Sequence, residues 1–387
     1  MPAAMRIIEI VPTLEDEASG PAYSVPRLAE ALAEQGNDVH LLSVGDQAPG
    51  VRVSVRQSRY AQDLRNVPFA HRLFLSRALN ASLVELVGGV DIVHSHGLWV
   101  MPNIYPAWAA ARAGKPLLIS PRGTLGAVPL TYSANIKKAF WYLMQGSAAR
   151  AARCIHATSE DEYRDIRKFG LSQPVAVIPN GIDIAPLKRE GARDGGPRRL
   201  LYLGRLHQKK GIESLLTAWS AVSSRFPDWE LRLVGGGPEA YSESLRQLSH
   251  KLGLQRVTFA GPRYAEMKAE EYADADLFIL PSFNENFGMT VAEALAQGVP
   301  VIASKGTPWS GIVENDCGWW IETGASTIQG SLEQALALDR EELARRGAKG
   351  REWMTREFSW QRVARDMSEV YRWVVQGGPV PPFVRMD

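Results

Sequence analysis

The stretch PSFNENFGMTVAEALAQGVPVIAS, residues 281–304, decides the fold, because it joins two apolar runs through a polar loop and a helical pattern. The run DLFILP at 276–281 predicts one buried strand, and VPVIAS at 299–304 predicts the next. A helix from about Met289 to Gln297 lies between them. Two strands joined by a helix predict parallel pairing through a right-handed crossover.

The same alternation extends over the rest of the chain. Further strands are predicted at 6–12, 39–44, 91–96, 116–121, 154–159, 175–179, 199–204, 230–235 and 257–261. The charged segment 185–198 is rich in glycine and proline and predicts a linker. Strands that alternate with helices on both sides of it predict two doubly wound α/β domains, at 1–184 and 199–356.

The composition agrees with two domains and excludes several classes of protein. A chain of 387 residues exceeds the about 250–300 residues of a single core. A net charge of +2 gives no case for a nucleic-acid binder, and Cys154 and Cys317 alone cannot form a disulfide scaffold, which favours a reducing cytoplasm. The first apolar run contains Glu9 and is too short for a secretory signal, and the charge-free stretch 92–111 is a poor membrane span.

The small net charge hides a basic region. Residues 52–153 carry a net charge of +10, and the predicted helix at 133–153 places Lys137 and Lys138 beside several aromatic and aliphatic residues. Cations next to aromatics are typical of an interfacial helix on an anionic membrane. The alternative is a solvated basic face.

The polar loop in the opening stretch is the first candidate site. It carries Glu285 and Gly288, and Glu293 follows inside the helix. Open α/β sheets bind ligands at the carboxyl ends of their strands, and a helix N-terminus there suits phosphate. The two carboxylates suit hydroxyl groups. The alternative is a surface loop with helix-capping acids.

Two further loops follow predicted strands. Arg205 and Lys210 come after the strand at 199–204, where cations can bind a diphosphate and stabilise it as a leaving group; the alternative is a solvated basic loop. The run VGGGPE at 234–239 is a weak nucleotide signal, and a plain tight turn explains it equally well.

Taken together, these motifs resemble the C-terminal domain of the family 4 retaining glycosyltransferases. The motifs are GRL-x3-KG at 204–211, VGGGPE at 234–239 and E-x7-E at 285–293, in this order. The resemblance extends to PNGID at 179–183 and FSW at 358–360, and it is most specific from 200 to 305. It implies the GT-B fold, with two Rossmann-like domains facing across a cleft. It also implies a final segment, 357–387, whose helix crosses back to the N-terminal domain.

The resemblance also implies roles for individual residues. Arg205 and Lys210 would bind the donor diphosphate, Glu293 the nucleotide ribose, and Glu285 the hydroxyls of the donor sugar. The base would lie near Gly261 to Tyr264. The donor-binding set implied in this way is Gly20, Gly204, Arg205, Lys210, Gly261, Arg263, Glu285, Phe287, Gly288, Met289, Thr290 and Glu293.

The sequence departs from the family pattern at two places in the N-terminal domain. The first loop reads Ser19-Gly20-Pro21 where many relatives have two glycines, and the loop after 116–120 has Arg122 where many have a histidine. We expect Arg122 near the acceptor or the departing phosphate. His96 is a second catalytic candidate, although a lone histidine at a strand end is commonly structural. Trp99 is a candidate for stacking on acceptor sugars, and Trp108 and Trp309 share that chemistry, although tryptophan commonly packs in a core.

The resemblance implies transfer of a sugar, with retention, from a GDP-, UDP- or ADP-linked donor to a glycan or lipid-linked acceptor in bacterial surface polysaccharide assembly. Glu285, Arg205, Lys210, Arg122 and His96 are the catalytic candidates. We expect same-face attack without a metal or other cofactor, at the cytoplasmic side of the membrane. Asp274 and Asp276 could suggest a metal site, but they lie where a helix ends and a buried strand begins. A nucleotide-sugar epimerase, a phosphorylase-like enzyme and a non-catalytic nucleotide-sugar-binding subunit stay as alternatives.

Overall fold

In the computed structural model, the structure describes residues 4–15, 20–45, 55–68, 70–131, 133–187 and 196–387. The chain forms two compact units, and the first contains both chain ends. This unit comprises Met1–Gly181 and Trp360–Asp387, and the second comprises Ile182–Ser359.

The first unit is built around a largely parallel sheet. Its strands before residue 182 are β1 Arg6–Val11, β2 Asp38–Val44, β3 Arg56–Tyr60, β4 Ile92–His96, β5 Leu117–Ser120, β6 Cys154–Ala157 and β7 Val175–Val177. Its helices there are α1 Gly20–Glu34, α2 Arg77–Leu86, α3 Tyr105–Ala113, α4 Ala127–Thr131, α5 Ala134–Phe140, α6 Gly146–Arg150 and α7 Glu160–Lys168. A π-helical turn, Trp141–Gln145, connects α5 to α6, so the helical pattern predicted for this region is continuous.

The second unit has a parallel sheet of its own. Its strands are β8 Arg198–Leu203, β9 Trp229–Val234, β10 Val257–Phe259, β11 Leu277–Leu280, β12 Val301–Ser304 and β13 Gly318–Ile321. Its helices are α8 Ile212–Val222, α9 Glu239–Lys251, α10 Ala265–Ala273, α11 Met289–Ala296, α12 Gly311–Glu314, α13 Ala325–Leu336 and α14 Arg340–Glu357. The central strands are buried on both faces, which explains why they read as continuous apolar runs in the sequence.

The last helix of the chain returns to the first unit. Helix α15, Trp360–Gln376, packs against α1, and β14, Val384–Arg385, pairs antiparallel with β7. Trp360 and Met367 are buried in the same core as Val25 of α1. The expectation that the final helix crosses back to the N-terminal domain is confirmed.

Each sheet has a point at which the chain changes direction. In the first unit the strand order is β14-β7-β6-β5-β4-β1-β2-β3, so β1 and β4 are neighbours. In the second it is β10-β9-β8-β11-β12-β13, so β8 and β11 are neighbours. The loops that leave these neighbouring strands diverge to opposite sides, and the crevice between them is the usual ligand site of an open α/β sheet.

Several boundaries differ from the sequence-based ones. The division between units falls after Gly181, because Ile182 packs in the core of the second unit and its N–H donates to the Phe358 carbonyl at 2.7 Å. Of the predicted linker 185–198, residues 188–195 lie outside the described residues, and Arg198 already belongs to β8. Gly20, expected in the first loop, is the first residue of α1.

Three strands have no counterpart among the predicted ones. Strand β3, of sequence RQSRY, lies at the edge of its sheet and lacks an apolar run. Strands β13 and β14 are short edge strands as well. Edge strands bury less surface than central ones, which leaves β3 and β14 without a hydrophobic signal. Strand β13, of sequence GWWI, is apolar, but four residues are too few to distinguish a strand from other buried structure. None of the helices within the described ranges is both long enough and apolar enough to cross a bilayer.

Candidate active site

Two loops meet at the crevice of the second sheet. They follow β8 (204–211) and β11 (281–288), and the N–H of Phe283 donates to the Lys209 carbonyl at 2.8 Å. Gly211 has a φ of +68°, and a Cβ placed there would lie 2.3 Å from the Pro281 carbonyl oxygen. Glycine is therefore required for the close approach of the two loops.

Lys210 and Glu285 come together at this junction. The Lys210 ammonium donates to Glu285 Oε1, and the Ser282 hydroxyl donates to the same oxygen at 2.8 Å. The Glu285 N–H donates to the Gly306 carbonyl at 2.7 Å. The two side chains are only 12% and 10% exposed, so each charge is compensated by the other in a poorly solvated place.

Helix α11 begins beside this ion pair. Its first residues are Met289 and Thr290, and Gly288, with a φ of +78°, precedes them. Among the described residues no side chain caps this N-terminus, so its first N–H groups and the positive end of the helix dipole are available to an anion. The indole N–H of Trp309, a buried residue, donates to the Phe287 carbonyl and so fixes the loop against the core of the second unit.

Glu293 lies further along α11, with both of its carboxylate oxygens engaged. Lys268 donates to Oε1 at 2.6 Å, and the Tyr272 hydroxyl donates to Oε2 at 2.7 Å. Both partners belong to α10, so they orient the carboxylate with a charge-assisted network. Arg263 lies before α10 and forms an ion pair with Glu271 at 3.4 Å.

The glycine-rich run after β9 is explained by close packing of loops. Gly235 has a φ of +154°, and a Cβ there would lie 1.8 Å from the Gly204 carbonyl oxygen. The Gly235 N–H donates to the Gly261 carbonyl at 2.9 Å. These contacts bring Gly204 and Gly261 of the predicted donor set to neighbouring positions. They favour the tight-turn interpretation of VGGGPE over direct contact of its glycines with a nucleotide.

The first loop has an exposed cation and partly desolvated neighbours. The Arg205 side chain is exposed, while its carbonyl accepts a hydrogen bond from the buried Tyr202 hydroxyl at 2.9 Å. Burial raises the pKa of Tyr202 well above its ordinary value, so this hydroxyl keeps its proton. Burial lowers the pKa of Lys209, and the pKa of His207 is lowered in the same direction for the same cause. The Arg205 guanidinium is thus open to solvent, while its backbone carbonyl is held by Tyr202.

Asp274 and Asp276 both accept hydrogen bonds from Arg199. The Arg199 N–H donates to Asp276 at 2.9 Å, and its guanidinium donates to Asp274 at 3.1 Å. Both carboxylates thus hold the start of β8 beside β11, which is the structural interpretation given above.

The first unit contains a buried polar cluster on one face of its sheet. Glu9 of β1 lies directly opposite His94 of β4 in the parallel register, and His96 lies opposite Ser120 of β5. The next strand, β6, adds His156. Because side chains alternate between faces along a strand, all of these residues point toward the face on which α15 places Tyr371.

Arg122 is fixed at the edge of this cluster. Its Nε and Nη2 lie 3.3 and 2.9 Å from His96 Nδ1, and its Nη1 donates to Asn180 Oδ1 at 2.6 Å. Arg122 has a φ of +58°, an uncommon conformation for a non-glycine residue. Such a backbone conformation costs free energy, so it persists only where the contacts of the surrounding residues enforce it.

Burial dominates the electrostatics of the cluster. It lowers the pKa of Arg122 and of His94, and it lowers the pKa of His96 to about 3. Burial lowers the pKa of His156 as well. Burial by itself raises the pKa of Glu9, but the adjacent His96 and His94 side chains lower it overall.

His96 is therefore not a lone histidine. It is fully buried, and both of its nitrogens are engaged, one with Glu9 at 2.8 Å and the other with Arg122. Sequence reasoning missed Glu9, His94, His156 and Tyr371. The signal was the alternation of polar residues near the carboxyl ends of neighbouring strands, which places them on one face.

The cluster also contains the one group in the described residues that could hold a metal ion. The ligand atoms of Glu9, His94 and His96 lie within 4.8 Å of one another. Each of these atoms already has a hydrogen-bond partner in the protein. Hydrogen bonding thus accounts for the arrangement, and we treat it as a hydrogen-bonded cluster.

The remaining predicted residues have packing roles of their own. Trp99 is half-buried, its ring lies 6.0 Å from that of Trp141, and Lys137 Nζ lies 5.5 Å from the centre of its ring. Trp309 is buried among Phe287, Trp353 and Phe358, so it cannot stack on a sugar from solution. A Cβ at the exposed Gly20 would meet no atom within 4 Å, so packing does not require glycine there.

Family models and relatives agree with these features. Residues 183–353 match the family described as glycosyl transferases group 1, and residues 18–185 match glycosyltransferase family 4. A D-inositol 3-phosphate glycosyltransferase of Nocardia farcinica is 28% identical, covering 92% of this chain and 85% of that protein. A GDP-mannose-dependent alpha-(1-6)-phosphatidylinositol monomannoside mannosyltransferase of Mycobacterium tuberculosis is 29% identical, covering 75% and 82%.

The solved structure of HepE from Anabaena in complex with UDP and glucose has the same fold. It superposes with a TM-score of 0.73 at 19% identity and covers 95% of this chain and 99% of that one. The two family models together span nearly the whole chain, and the two Rossmann-like units match their order. The chain belongs to the family 4 glycosyltransferases, which have the GT-B fold, and it transfers a sugar from a nucleotide sugar.

Proposed function

We propose that this protein is a retaining, metal-independent glycosyltransferase that moves a sugar from a nucleoside-diphosphate sugar to a hydroxyl of a glycan or lipid-linked acceptor. The observation that carries the proposal is the convergence of Lys210, Glu285 and the uncapped N-terminus of α11 at the crevice of the second sheet. The alternative solvated loop does not account for nearly buried charges at this point.

In this proposal the protein itself supplies the positive charge that stabilises the departing diphosphate. The residues at the rim of this crevice supply the ammonium of Lys210, the exposed guanidinium of Arg205 and the N–H groups of Met289 and Thr290. Charge that develops on the leaving group is best stabilised by donors that are already oriented. Lys210 is held by Glu285 and thus needs little reorganisation.

The position of the carboxylates supports the proposal of retention. A double displacement requires a carboxylate beneath the anomeric carbon. Within the two loops of the second unit, Glu285 is the candidate carboxylate, and Lys210 and Ser282 already bind it. We therefore assign Glu285 to hydroxyls of the donor sugar and favour same-face attack, in which the leaving phosphate accepts the proton of the acceptor.

The acceptor side belongs to the first unit. Arg122 is held by His96 and Asn180 and has the fixed guanidinium needed to bind an acceptor hydroxyl or a phosphate. The two relatives described above are named for inositol phosphate and phosphatidylinositol acceptors. They support a phosphorylated or lipid-linked acceptor, of the kind used in bacterial surface polysaccharide assembly.

A lipid-linked acceptor requires contact with a membrane, and the helical region of α5 offers a surface for it. Ile136, Tyr142 and Leu143 are 60%, 83% and 77% exposed, and Lys137 and Lys138 lie between them in sequence. Exposed apolar side chains next to cations suit the interface of an anionic leaflet. We place the protein at the inner face of the cytoplasmic membrane.

Transfer and its stereochemistry test the proposal directly. Sugar nucleotides with guanine, uracil and adenine bases are screened for binding, and the product with an acceptor is analysed by NMR at the anomeric carbon. We expect a retained configuration, undiminished rates in a chelator and transfer rather than epimerisation. An inverted product or loss of activity in the chelator contradicts the corresponding part of the proposal.

Lys210→Ala tests the donor site. We expect its kcat to fall by about 10²–10³, since one preorganised donor to the leaving group is lost. Its thermal unfolding should show an intact fold. Lys251→Ala, which changes an exposed lysine at the end of α9, is the matched control and should keep full activity. A near-normal rate for Lys210→Ala removes Lys210 from the site.

A further inference from the structure

An unbroken chain of hydrogen bonds crosses the buried cluster of the first unit. Its six links join the Ile178 carbonyl to His156 (2.8 Å), His156 to Ser120 (2.7 Å), Ser120 to His94 (2.7 Å), His94 to Tyr371 (2.6 Å), Tyr371 to Glu9 (2.9 Å) and Glu9 to His96 (2.8 Å). All of its side chains are buried. Each of these groups therefore depends on partners within the protein.

The two ends of the chain assign the first protons. The Arg122 guanidinium has no lone pair and can only donate, so His96 Nδ1 accepts and the hydrogen of a neutral His96 is on Nε2. At the other end the Ile178 carbonyl can only accept, so the hydrogen of a neutral His156 is also on Nε2. These assignments follow from the hydrogen-bond partners.

The links outnumber the hydrogens that the side chains ordinarily carry. Neutral His94, His96 and His156, together with the Ser120 and Tyr371 hydroxyls, supply one hydrogen each, which makes five for six links. An ionised Glu9 supplies none. The lowered pKa values of Glu9, His94 and His96, taken singly, favour this ionised form with neutral imidazoles. The number of hydrogen-bonded contacts is the geometric observation that opposes it. From the Ile178 end, Ser120 donates to His156, His94 donates to Ser120, and the Tyr371 hydroxyl then donates to His94. From the other end, His96 donates to Glu9. The contact between Tyr371 and Glu9 is then left without a hydrogen, so a lone pair of each oxygen faces the other.

A second buried acid, Glu162 of α7, lies close enough to Arg122 to oppose the lowering of the guanidinium pKa by burial. It accepts hydrogen bonds from the Gly123 N–H at 2.6 Å and from the Thr158 N–H and hydroxyl at 2.7 Å. Glu162 is not one of the groups joined by the six links, so the count of hydrogens does not include it.

We propose that this network holds one proton more than its side chains carry in solution at neutral pH, shared between Glu9 and His94 through the Tyr371 hydroxyl. In one form Glu9 Oε1–H donates to Tyr371, whose own hydrogen points to His94 Nδ1. In the other, the Glu9 proton has passed to Tyr371 Oη and the tyrosine hydrogen has passed to His94, which gives a carboxylate and an imidazolium. The number of protons is the same in both forms.

The role of this proton is to keep Arg122 in place. Glu9 and Tyr371 orient His96, and His96 orients the Arg122 guanidinium, so Glu9, His94 and Tyr371 are positioning residues. The groups that face the chain come from β1, β4, β6, α7, α15 and the loop after β5; the titratable and charged ones are Glu9, His94, His96, Arg122, His156, Glu162 and Tyr371.

Glu9→Gln separates this proposal from a merely structural role. The glutamine amide carries the missing hydrogen covalently, because its NH2 group donates to Tyr371 while its oxygen accepts from His96. The variant should therefore keep the network without an ionisable proton. Tyr371→Phe is the opposite change, since it removes one hydrogen and interrupts the chain.

The first test compares the unfolding of the full-length wild type and Glu9→Gln in urea as a function of pH. The unfolded state loses the corresponding proton near the ordinary pKa values of glutamate and histidine, about 4.3 and 6.5, so the native state binds more protons at pH 7.5–9. Stability then falls as the pH rises, and the folding equilibrium constant of the wild type should fall tenfold per pH unit relative to that of Glu9→Gln. Parallel curves for the two proteins overturn the proposal.

The second test needs only the folded wild type and counts its protons directly. At pH 7.5, side-chain ¹⁵N NMR should show His96 with its hydrogen on Nε2. It should also show either a doubly protonated buried histidine or an infrared band of a protonated carboxyl that disappears in Glu9→Gln. Three neutral imidazoles with an ionised Glu9 overturn the proposal, and so does one equivalent of divalent metal bound at Glu9, His94 and His96.

The positioning role has its own readout. Hydrogen exchange of the Arg122 side-chain N–H groups should stay as slow in Glu9→Gln as in the wild type and become at least about tenfold faster in Tyr371→Phe, because the chain then ends before Glu9. Equal exchange rates in folded Tyr371→Phe and the wild type contradict the positioning role. None of these measurements depends on transferase activity, so the proposed function is tested separately.

Discussion

At the scale of single residues, the partner of a charge decides what it can do. Lys210 and Glu285 lie 75 positions apart in sequence and meet because their loops follow neighbouring strands. Each therefore compensates the charge of the other in a place with little solvent. Arg205, by contrast, has an exposed side chain, so its charge is solvated by water.

Glu285→Gln tests the sugar-side member of the ion pair. The substitution keeps the shape but removes the charge, so the hydroxyl-binding group is weakened and the Lys210 ammonium has a neutral partner. We expect kcat/KM to fall by about 10²–10³. Initial rates at varied donor concentration measure the effect, and thermal unfolding serves as the control for the fold. Full activity would remove Glu285 from the site.

At the scale of elements, the loop before α11 is held from behind by aromatic packing. The ring of Trp309 lies 5.1 Å from that of Phe287 and 5.3 Å from that of Phe358, and its indole N–H donates to the Phe287 carbonyl. The strand-to-helix turn thus has a rigid support. The conformation of the loop 281–288 therefore depends on Trp309 and Phe358, which follow it in sequence.

Trp309→Phe tests this support. It keeps an aromatic ring but removes the N–H donor, so we expect a loss of about 1–3 kcal/mol in the free energy of unfolding and a several-fold rise in the donor KM. Trp229→Phe is a matched control, because the buried Trp229 also donates its indole N–H to a carbonyl, that of Leu336, at 3.1 Å. The control should lose similar stability with an unchanged KM. Equal KM values for both variants would contradict the loop-support role.

At the scale of the whole molecule, the uneven charge of the chain bears on where it works. The basic region 52–153 belongs to the first unit, and its exposed apolar residues Tyr142 and Leu143 follow two lysines. Burial lowers the pKa of Lys137, whose side chain packs over Trp99. This helix therefore combines a packed inner side with an exposed apolar edge.

The double variant Tyr142→Ser/Leu143→Ser tests membrane contact. Two exposed apolar side chains are removed without disturbing the core, so binding to anionic vesicles should weaken by on the order of tenfold or more, as judged from the area lost. Val313→Ser, which changes an exposed apolar residue of the second unit, should bind like the wild type. Vesicle co-sedimentation at low and high salt is the measurement. The proposed surface is contradicted if the double variant binds vesicles as strongly as the wild type. It is also contradicted if the binding of the wild type is the same at low and high salt.

The sequence alone predicted most of the fold, because central strands and amphipathic helices carry local periodic signals. The strands at 6–12, 91–96 and 276–281 are found near the predicted places. The edge strands β3 and β14 were missed because they leave no apolar run, and β13 was missed because its apolar run GWWI is only four residues long. The sequence did not predict that the first unit ends at Gly181, because this boundary depends on the hydrogen bond from the Ile182 N–H to the Phe358 carbonyl.

By itself the sequence determined the alternation of strands and helices, the family motifs and the loops that carry Arg205, Lys210, Glu285 and Glu293, since all of these are local. Tertiary structure decided which charges meet. Glu9 and Tyr371 are separated by 362 positions and share a hydrogen bond because four strands and the returning helix put their polar side chains on one face of a sheet. No local pattern encodes such a contact, since its partners come together only when the core has formed.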